Sequence, residues 1–184
     1  MLNFLAQYLR HPRSVGAVAP SGRGLTRKMM EPIRFDRART IVEYGPGTGS
    51  FTAELCRRIR PGTRLVLIEQ NDAFYRTILE RFGSADGVTV IHGSAAEADR
   101  YLADLGITTV DYVVSGLPFA SLPKQVSLQI FRATQRILGP RGRFITFQYT
   151  LFKQRFFKQH FYLEEKLFER WNLPPAFVFV CRNL

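Results

Sequence analysis

TIVEYGPGTGSFTAEL, residues Thr40–Leu55, sets a short β-branched run against three glycines, Gly45, Gly47 and Gly49. Beyond them Phe51, Leu55 and Ile59 fall on one helical stripe. Glycine permits a left-handed backbone and lets a ligand approach the chain closely. A strand, a glycine turn and a helix in this order therefore describe a nucleoside-binding turn. A phosphate, a dinucleotide and a methyl donor would each suit it. No Gly-Lys-Ser/Thr follows, so the kinase-type phosphate loop is absent.

The pattern repeats outward from that stretch. RLVLIEQN, VTVIHGSA, VDYVVSGLPF, RFITFQYT and AFVFVCR read as further strands. SFTAELCRRIR, DAFYRTILERF, YLADLG and SLQIFRATQRIL read as helices between them, and GPRG reads as a turn. The strands are mostly continuous apolar runs rather than alternating ones. That predicts an α/β fold with a mostly parallel sheet covered by helices. Upstream, Leu2, Leu5, Tyr8 and Leu9 recur at helical spacing until Pro12, and LTRKMMEPI reads as a second helix. The first helix needs a surface to lie on, either the protein's own core or a membrane. Residues 1–184 read as one domain. Residues 1–35 give the N-terminal helix, loop and second helix, and residues 36–184 the core.

The formal charge is +11. Residues 1–30 carry five basic residues and no acid, residues 31–112 a net −2, and residues 113–184 a net +8. Two basic ends flanking a near-neutral middle would attract nucleic acid or anionic lipid. The two cysteines, Cys56 and Cys181, have no metal-site or disulfide-scaffold spacing and read as buried thiols of a reducing compartment. No apolar run is long enough to span a bilayer, and the first residues lack the order of a secretory signal. The expectation is a cytoplasmic protein open to peripheral membrane contact. No His/Cys/Asp cluster suggests a metal.

EYGPGTG resembles the first motif of class I S-adenosylmethionine-dependent methyltransferases. The resemblance implies a Rossmann-like, seven-stranded sheet with an N-terminal helical cover. It also implies S-adenosylmethionine as the methyl donor and S-adenosylhomocysteine as product. Glu43, Gly45, Gly47, Gly49 and Thr52 would line the donor, and Glu69, followed by Gln70, would accept hydrogen bonds from the ribose hydroxyls. The spacing from Gly49 to Glu69 would equally suit a dinucleotide fold. In HGSA, where the family often has an acid, Gly93, Ser94 and Ala95 would face the adenine. His92 reads as structural rather than as a base. SGLPF resembles the Asn-Leu-Pro-Tyr loop of amine methyltransferases, which gives Ser115 and Leu117 contacts with donor and acceptor, and Pro118 and Phe119 contacts with the acceptor.

VEYGPGTGSFT, SGLPFASLP, FQYTLFK and NLPPAFV, in that order, resemble bacterial phospholipid N-methyltransferases across nearly the whole chain. That family carries phosphatidylethanolamine toward phosphatidylcholine, and it is similar to the rRNA adenine dimethyltransferases. An rRNA adenine methyltransferase, or one acting on another small molecule, is the alternative. Against RNA stand Ser115 in the place of the catalytic-loop Asn, and a chain that ends after its last strand without their helical RNA domain. The resemblance implies Tyr149 and Ser115 as catalytic residues. Ser21 would meet the donor, and Arg23 and Lys153 the lipid headgroup. In LFKQRFFKQHFYLEEKLF, Phe152, Phe156, Phe157 and Phe161 would face acyl chains, although stacking on RNA or packing on the sheet also fits. The expected partners are a phospholipid substrate and the anionic inner face of the cell membrane.

Overall fold

A computed structural model describes residues 22–184. The amphipathic opening with Leu2, Leu5, Tyr8 and Leu9 lies outside the described residues, as does Ser21. The strands are β1 (Thr40–Tyr44), β2 (Arg64–Glu69), β3 (Val88–His92), β4 (Val110–Ser115), β5 (Leu138–Gln148), β6 (Tyr162–Glu169) and β7 (Ala176–Arg182). The helices are α1 (Arg23–Met30), α2 (Ser50–Arg58), α3 (Asp72–Phe82), α4 (Ala98–Asp104), α5 (Lys124–Ile137) and α6 (Gln154–Lys158), with a single 3-10 turn at Ala95–Glu97.

The strands form one seven-stranded sheet in the order β3-β2-β1-β4-β5-β7-β6. The pairs β1–β2, β2–β3, β1–β4 and β4–β5 are parallel, and β7 runs antiparallel to both β5 and β6. This is the expected Rossmann-like methyltransferase sheet. β1 is buried along its whole length and β2 at all but its first residue, because helices cover both faces. Alternate residues feed opposite cores. Val42 and Tyr44 join a cluster with Val113, Phe131, Phe144 and Phe179. Ile41 joins Leu65, Leu67, Val114 and Val180, against Leu25, Met29 and Met30 of α1 and Phe51 and Leu55 of α2. Asn71 caps α3 by accepting from the Phe74 N–H at 3.0 Å.

Four details depart from the sequence reading. The second helix starts before the expected Leu25, since α1 already begins at Arg23. GPRG is not a turn before a strand. It lies inside β5, where the register against β4 shifts between Val110 and Tyr112. The strand β6 was hidden inside the aromatic-basic segment. Finally, Phe157 and Phe161 do not face lipid. Both are buried, with ring centroids 4.9 and 5.2 Å from Phe131. Removing two aromatic rings from water favours the packed alternative over acyl-chain contact. Phe156 leans on Phe131 at 5.2 Å, and only Phe152 stands free, 87% exposed. Cys181 is buried and its thiol is pushed up to about 12 by desolvation, whereas Cys56 is only half-buried.

Candidate active site

In an open parallel sheet the crevice lies at the carboxyl ends of the strands, where the chain order reverses. Here β2 and β3 lie on one side of β1 and β4 on the other, so the reversal falls between β1 and β4. The turn after β1 and the loop after β4 meet there. Gly116 N–H donates to the Tyr44 carbonyl, Gly45 N–H to Ile68, and Gly93 N–H to Glu69, each at 2.9 Å. Three loops are thus pinned to neighbouring strand ends.

The glycine turn needs its glycines. Gly45, Gly47 and Gly49 have φ of 62°, 57° and 83°, all left-handed. A Cβ on Gly45 would sit 2.7 Å from Leu117 Cδ2, and one on Gly49 would sit 2.8 Å from Phe82 Cε2. The close approach of Leu117 makes the β4 loop a wall of the same crevice. Gly49 starts α2, whose free N–H groups and positive dipole end open toward the turn.

Glu69 closes the next side. It is nearly buried, and its Oε1 accepts from Asn71 N–H at 2.9 Å and its Oε2 from Gly47 N–H at 3.0 Å. Desolvation raises its pKa, opposed by those backbone N–H groups and by His92. A carboxylate has about four acceptor positions, so two remain for donors such as a pair of hydroxyls. Glycine cradle, helix N-terminus and half-used carboxylate together fit a nucleoside donor with a ribose diol.

Glu43 and Thr52 sit deeper. Both are fully buried, and Thr52 Oγ1 donates to Glu43 Oε2 at 2.8 Å. The expectation that Thr52 lines the donor is corrected here, since its hydroxyl is spent on Glu43 beneath the turn. Among the described residues Glu43 Oε1 has no partner, and desolvation first, with the charge of Glu69 adding, pushes the carboxyl up to about 8. At the end of β3, Ser94 Oγ accepts from Ala96 N–H at 3.3 Å, Ala95 is buried, and Gln70 is exposed on the adjoining loop. His92 is half-exposed, stacked on Tyr75 at 4.7 Å and 2.9 Å from Asp72.

The β4 loop divides in two. Ser115 is buried with its Oγ accepting from Leu117 N–H at 3.2 Å, and Leu117 and Pro118 are half-buried at the crevice. Phe119 is corrected. Its ring is fully buried, 5.1 Å from Phe131 and 5.3 Å from Phe157, so it anchors the loop in the core and does not face an acceptor. Ser115 pairs in register with Thr146, which places Tyr149 just past the same edge. Tyr149 is half-buried, and desolvation raises its pKa, with the neighbouring Asn172 side chain opposing the rise. Lys153 Nζ lies 5.4 Å over the Phe156 ring, and Arg23 is exposed at the first residue of α1.

Asn172 escaped the sequence reading. It is buried, accepts from Gly22 N–H at 3.2 Å and donates to the Pro174 carbonyl at 2.7 Å. It therefore ties the turn between β6 and β7 to the segment entering α1. Its one signal was its place at the head of NLPPAFV. A basic concavity lined by Arg37, Arg39, Arg60 and Arg64 lies at the amino ends of β1 and β2, the opposite edge from this crevice.

Residues 25–170 match the family model "Ribosomal RNA adenine dimethylase". The ornithine lipid N-methyltransferase of Singulisphaera acidiphila is 34% identical over 98% of this chain and 95% of its own length. A probable ribosomal RNA small subunit methyltransferase A of Methanosarcina mazei is 28% identical over 50% of this chain and 30% of its own length. Among solved structures, the precorrin-6y C5,15-methyltransferase of Geobacter metallireducens superposes with a TM-score of 0.67. It is 18% identical, over 94% of this chain and 95% of that one, and it shares the fold.

Proposed function

The chain belongs to the ribosomal RNA adenine dimethylase family of S-adenosylmethionine-dependent methyltransferases, beside its lipid N-methyltransferases, and we propose that it methylates the amine of a membrane-lipid headgroup. The acceptor in this reading is phosphatidylethanolamine and its methylated intermediates, carried toward phosphatidylcholine. An ornithine headgroup ends in the same kind of amine, and the test below separates the two. One observation carries the proposal: the likeness to a lipid N-methyltransferase runs end to end, whereas the rRNA relative is matched over half of this chain. Ser115 supports it, because a serine standing where the rRNA enzymes have an amide lacks the carbonyl grip on a planar amino group.

The donor, when bound, supplies a sulfonium-borne methyl group, and the amine lone pair takes that methyl as the carbon–sulfur bond breaks toward sulfur. Gly45, Gly47, Gly49 and Glu69 hold the nucleoside end, with Gln70, Gly93, Ser94 and Ala95 beside the base. Glu43 lies beneath the turn and acts on the donor through it. Ser115, Leu117 and Pro118 wall the transfer point. A lipid ammonium, with a lysine-like pKa of ~10, must first lose a proton. The apolar faces of Leu117 and Pro118 favour the neutral amine. The Tyr149 hydroxyl orients the nitrogen, and its ring attracts the methylated cation. Arg23 and Lys153 take the headgroup anion. Alignment supplies most of the rate.

The test is expression in a bacterial host whose membrane contains phosphatidylethanolamine and no phosphatidylcholine, followed by mass spectrometry of the lipid extract. Methylated phosphatidylethanolamines should appear with the wild type and vanish with Glu69→Ala. An unchanged phospholipid profile, with methylation confined to an ornithine lipid supplied in the host, would replace the acceptor. No methylated lipid of either kind would defeat the proposal.

A further inference from the structure

Three of the most exposed large apolar side chains among the described residues are Leu173 at 88%, Phe152 at 87% and Trp171 at 80%. They come from two loops. Because β7 runs antiparallel to β5, the β6–β7 turn (residues 170–175) returns to the carboxyl edge of β5. The loop holding Leu151 and Phe152 leaves from that edge. Gln148 pairs with Phe177, so the two loops leave adjacent strand ends beside the candidate active site. The rest of the turn is rigidly built. Asn172 is buried, and buried Glu169 accepts from Trp171 N–H at 2.9 Å. Trp171 and Leu173 flank that anchor and stand exposed.

The charges around them have one sign. Arg170 lies 4.3 Å over the Trp171 ring, and Lys153, Arg155 and Lys158 follow Phe152. Among the described residues none of these four makes an ion pair. The acid nearest in sequence, Glu169, is turned inward. Exposed Trp, Leu and Phe on loops that also carry cations are the chemistry of a headgroup interface, where indole and apolar tips enter and cations meet lipid phosphate. No described helix is long and apolar enough to cross a membrane. We propose that the β6–β7 turn and the β5–α6 loop form a wedge that docks on an anionic bilayer and seats the crevice against its acceptor. This rests on the lipid reading of the site.

Trp171 is the sole tryptophan of the chain, so its fluorescence reports on this surface alone. The full chain is titrated with vesicles of phosphatidylcholine and phosphatidylglycerol, which contain no primary amine, and then with vesicles of phosphatidylcholine only. The expected result is a blue shift of Trp171 on the anionic vesicles, quenched by brominated acyl chains. Phe152→Ser with Leu173→Ser should weaken vesicle affinity by roughly tenfold per side chain. Arg155→Glu with Arg170→Glu should weaken it several-fold at low salt and little at high salt. S-adenosylmethionine affinity and the unfolding midpoint should stay at wild-type values in both variants. Wild-type flotation without a Trp171 shift, or variants that bind vesicles as the wild type does, would overturn the wedge. So would a Trp171 shift with ribosomal RNA and none with vesicles. Because these vesicles hold no acceptor, docking on them together with no methylation when phosphatidylethanolamine or ornithine lipid is supplied separately would sink only the proposed function, and methylation of dispersed short-chain lipid without a Trp171 shift on the vesicles would sink only the wedge.

Discussion

Replacing Glu43 by Gln removes an acid from the floor of the crevice without changing its shape. In the unfolded chain this carboxyl ionises near 4.5, and in the fold burial pushes it up to about 8. Between those values the unfolded chain has lost the proton and the folded chain keeps it. Folding therefore takes up a proton, and stability falls as the pH rises through that window. The slope is about 1.4 kcal/mol per pH unit, and the full cost above pH 8 is about 5 kcal/mol. Among the described residues only Thr52 bonds to this carboxylate and Oε1 has no partner, so that single bond offsets only part of the penalty. Gln does not titrate, and the same Thr52 hydroxyl can donate to its carbonyl. Urea unfolding of both proteins from pH 5 to pH 7.5, without donor, gives the difference directly. The variant should gain about 3 kcal/mol on the wild type across that range. Glu69, also raised, is present in both and largely cancels. A difference that stays flat with pH would show that Glu43 is solvated or ionised in the fold, and would refute the buried floor.

Glu69→Ala should weaken S-adenosylmethionine binding by ~1–3 kcal/mol in calorimetry, from the loss of charged acceptors. Gly45→Ala should destabilise the protein by ~1–2 kcal/mol, because φ of 62° strains an L-residue; the added methyl also meets Leu117 Cδ2 at 2.7 Å. A partial rescue by Leu117→Ala in thermal melts checks that contact. Phe131→Ala, at the centre of five phenylalanine neighbours within 6.2 Å (Phe119, Phe144, Phe156, Phe157 and Phe161), should cost ~3–5 kcal/mol in urea unfolding. Tyr149→Phe should lower kcat with donor affinity unchanged, and an equal kcat would return Tyr149 to packing.

The parallel half of the sheet was legible because both of its faces are covered. TIVEY and RLVLIE had to be continuous apolar runs, broken only where Glu43 and Glu69 sit. β6 was not legible, since YLEEKLFE is an outer strand with little burial and so carries charges where inner strands carry Val and Ile. Spacing also cannot say which Phe turns inward. Phe156 and Phe157 are consecutive, yet one leans on the surface of the cluster and the other fills its centre. Phe119 shows the limit of carrying a motif over: the loop is where the motif puts it, but α5 and α6 supply aromatic partners that draw its ring into the core. Asn172 acts on Gly22 across 150 positions, a contact set by tertiary packing that no local pattern announces.

The account stands most directly on where the methyl group goes. Purified chain is given S-adenosylmethionine labelled in its methyl group, together with phosphatidylethanolamine vesicles and unmodified ribosomal RNA in one vessel, and label is counted in the lipid and RNA fractions. The account predicts label on the headgroup nitrogen of the lipid, lost with Glu69→Ala, and none in RNA. Label in RNA with none in lipid would contradict it.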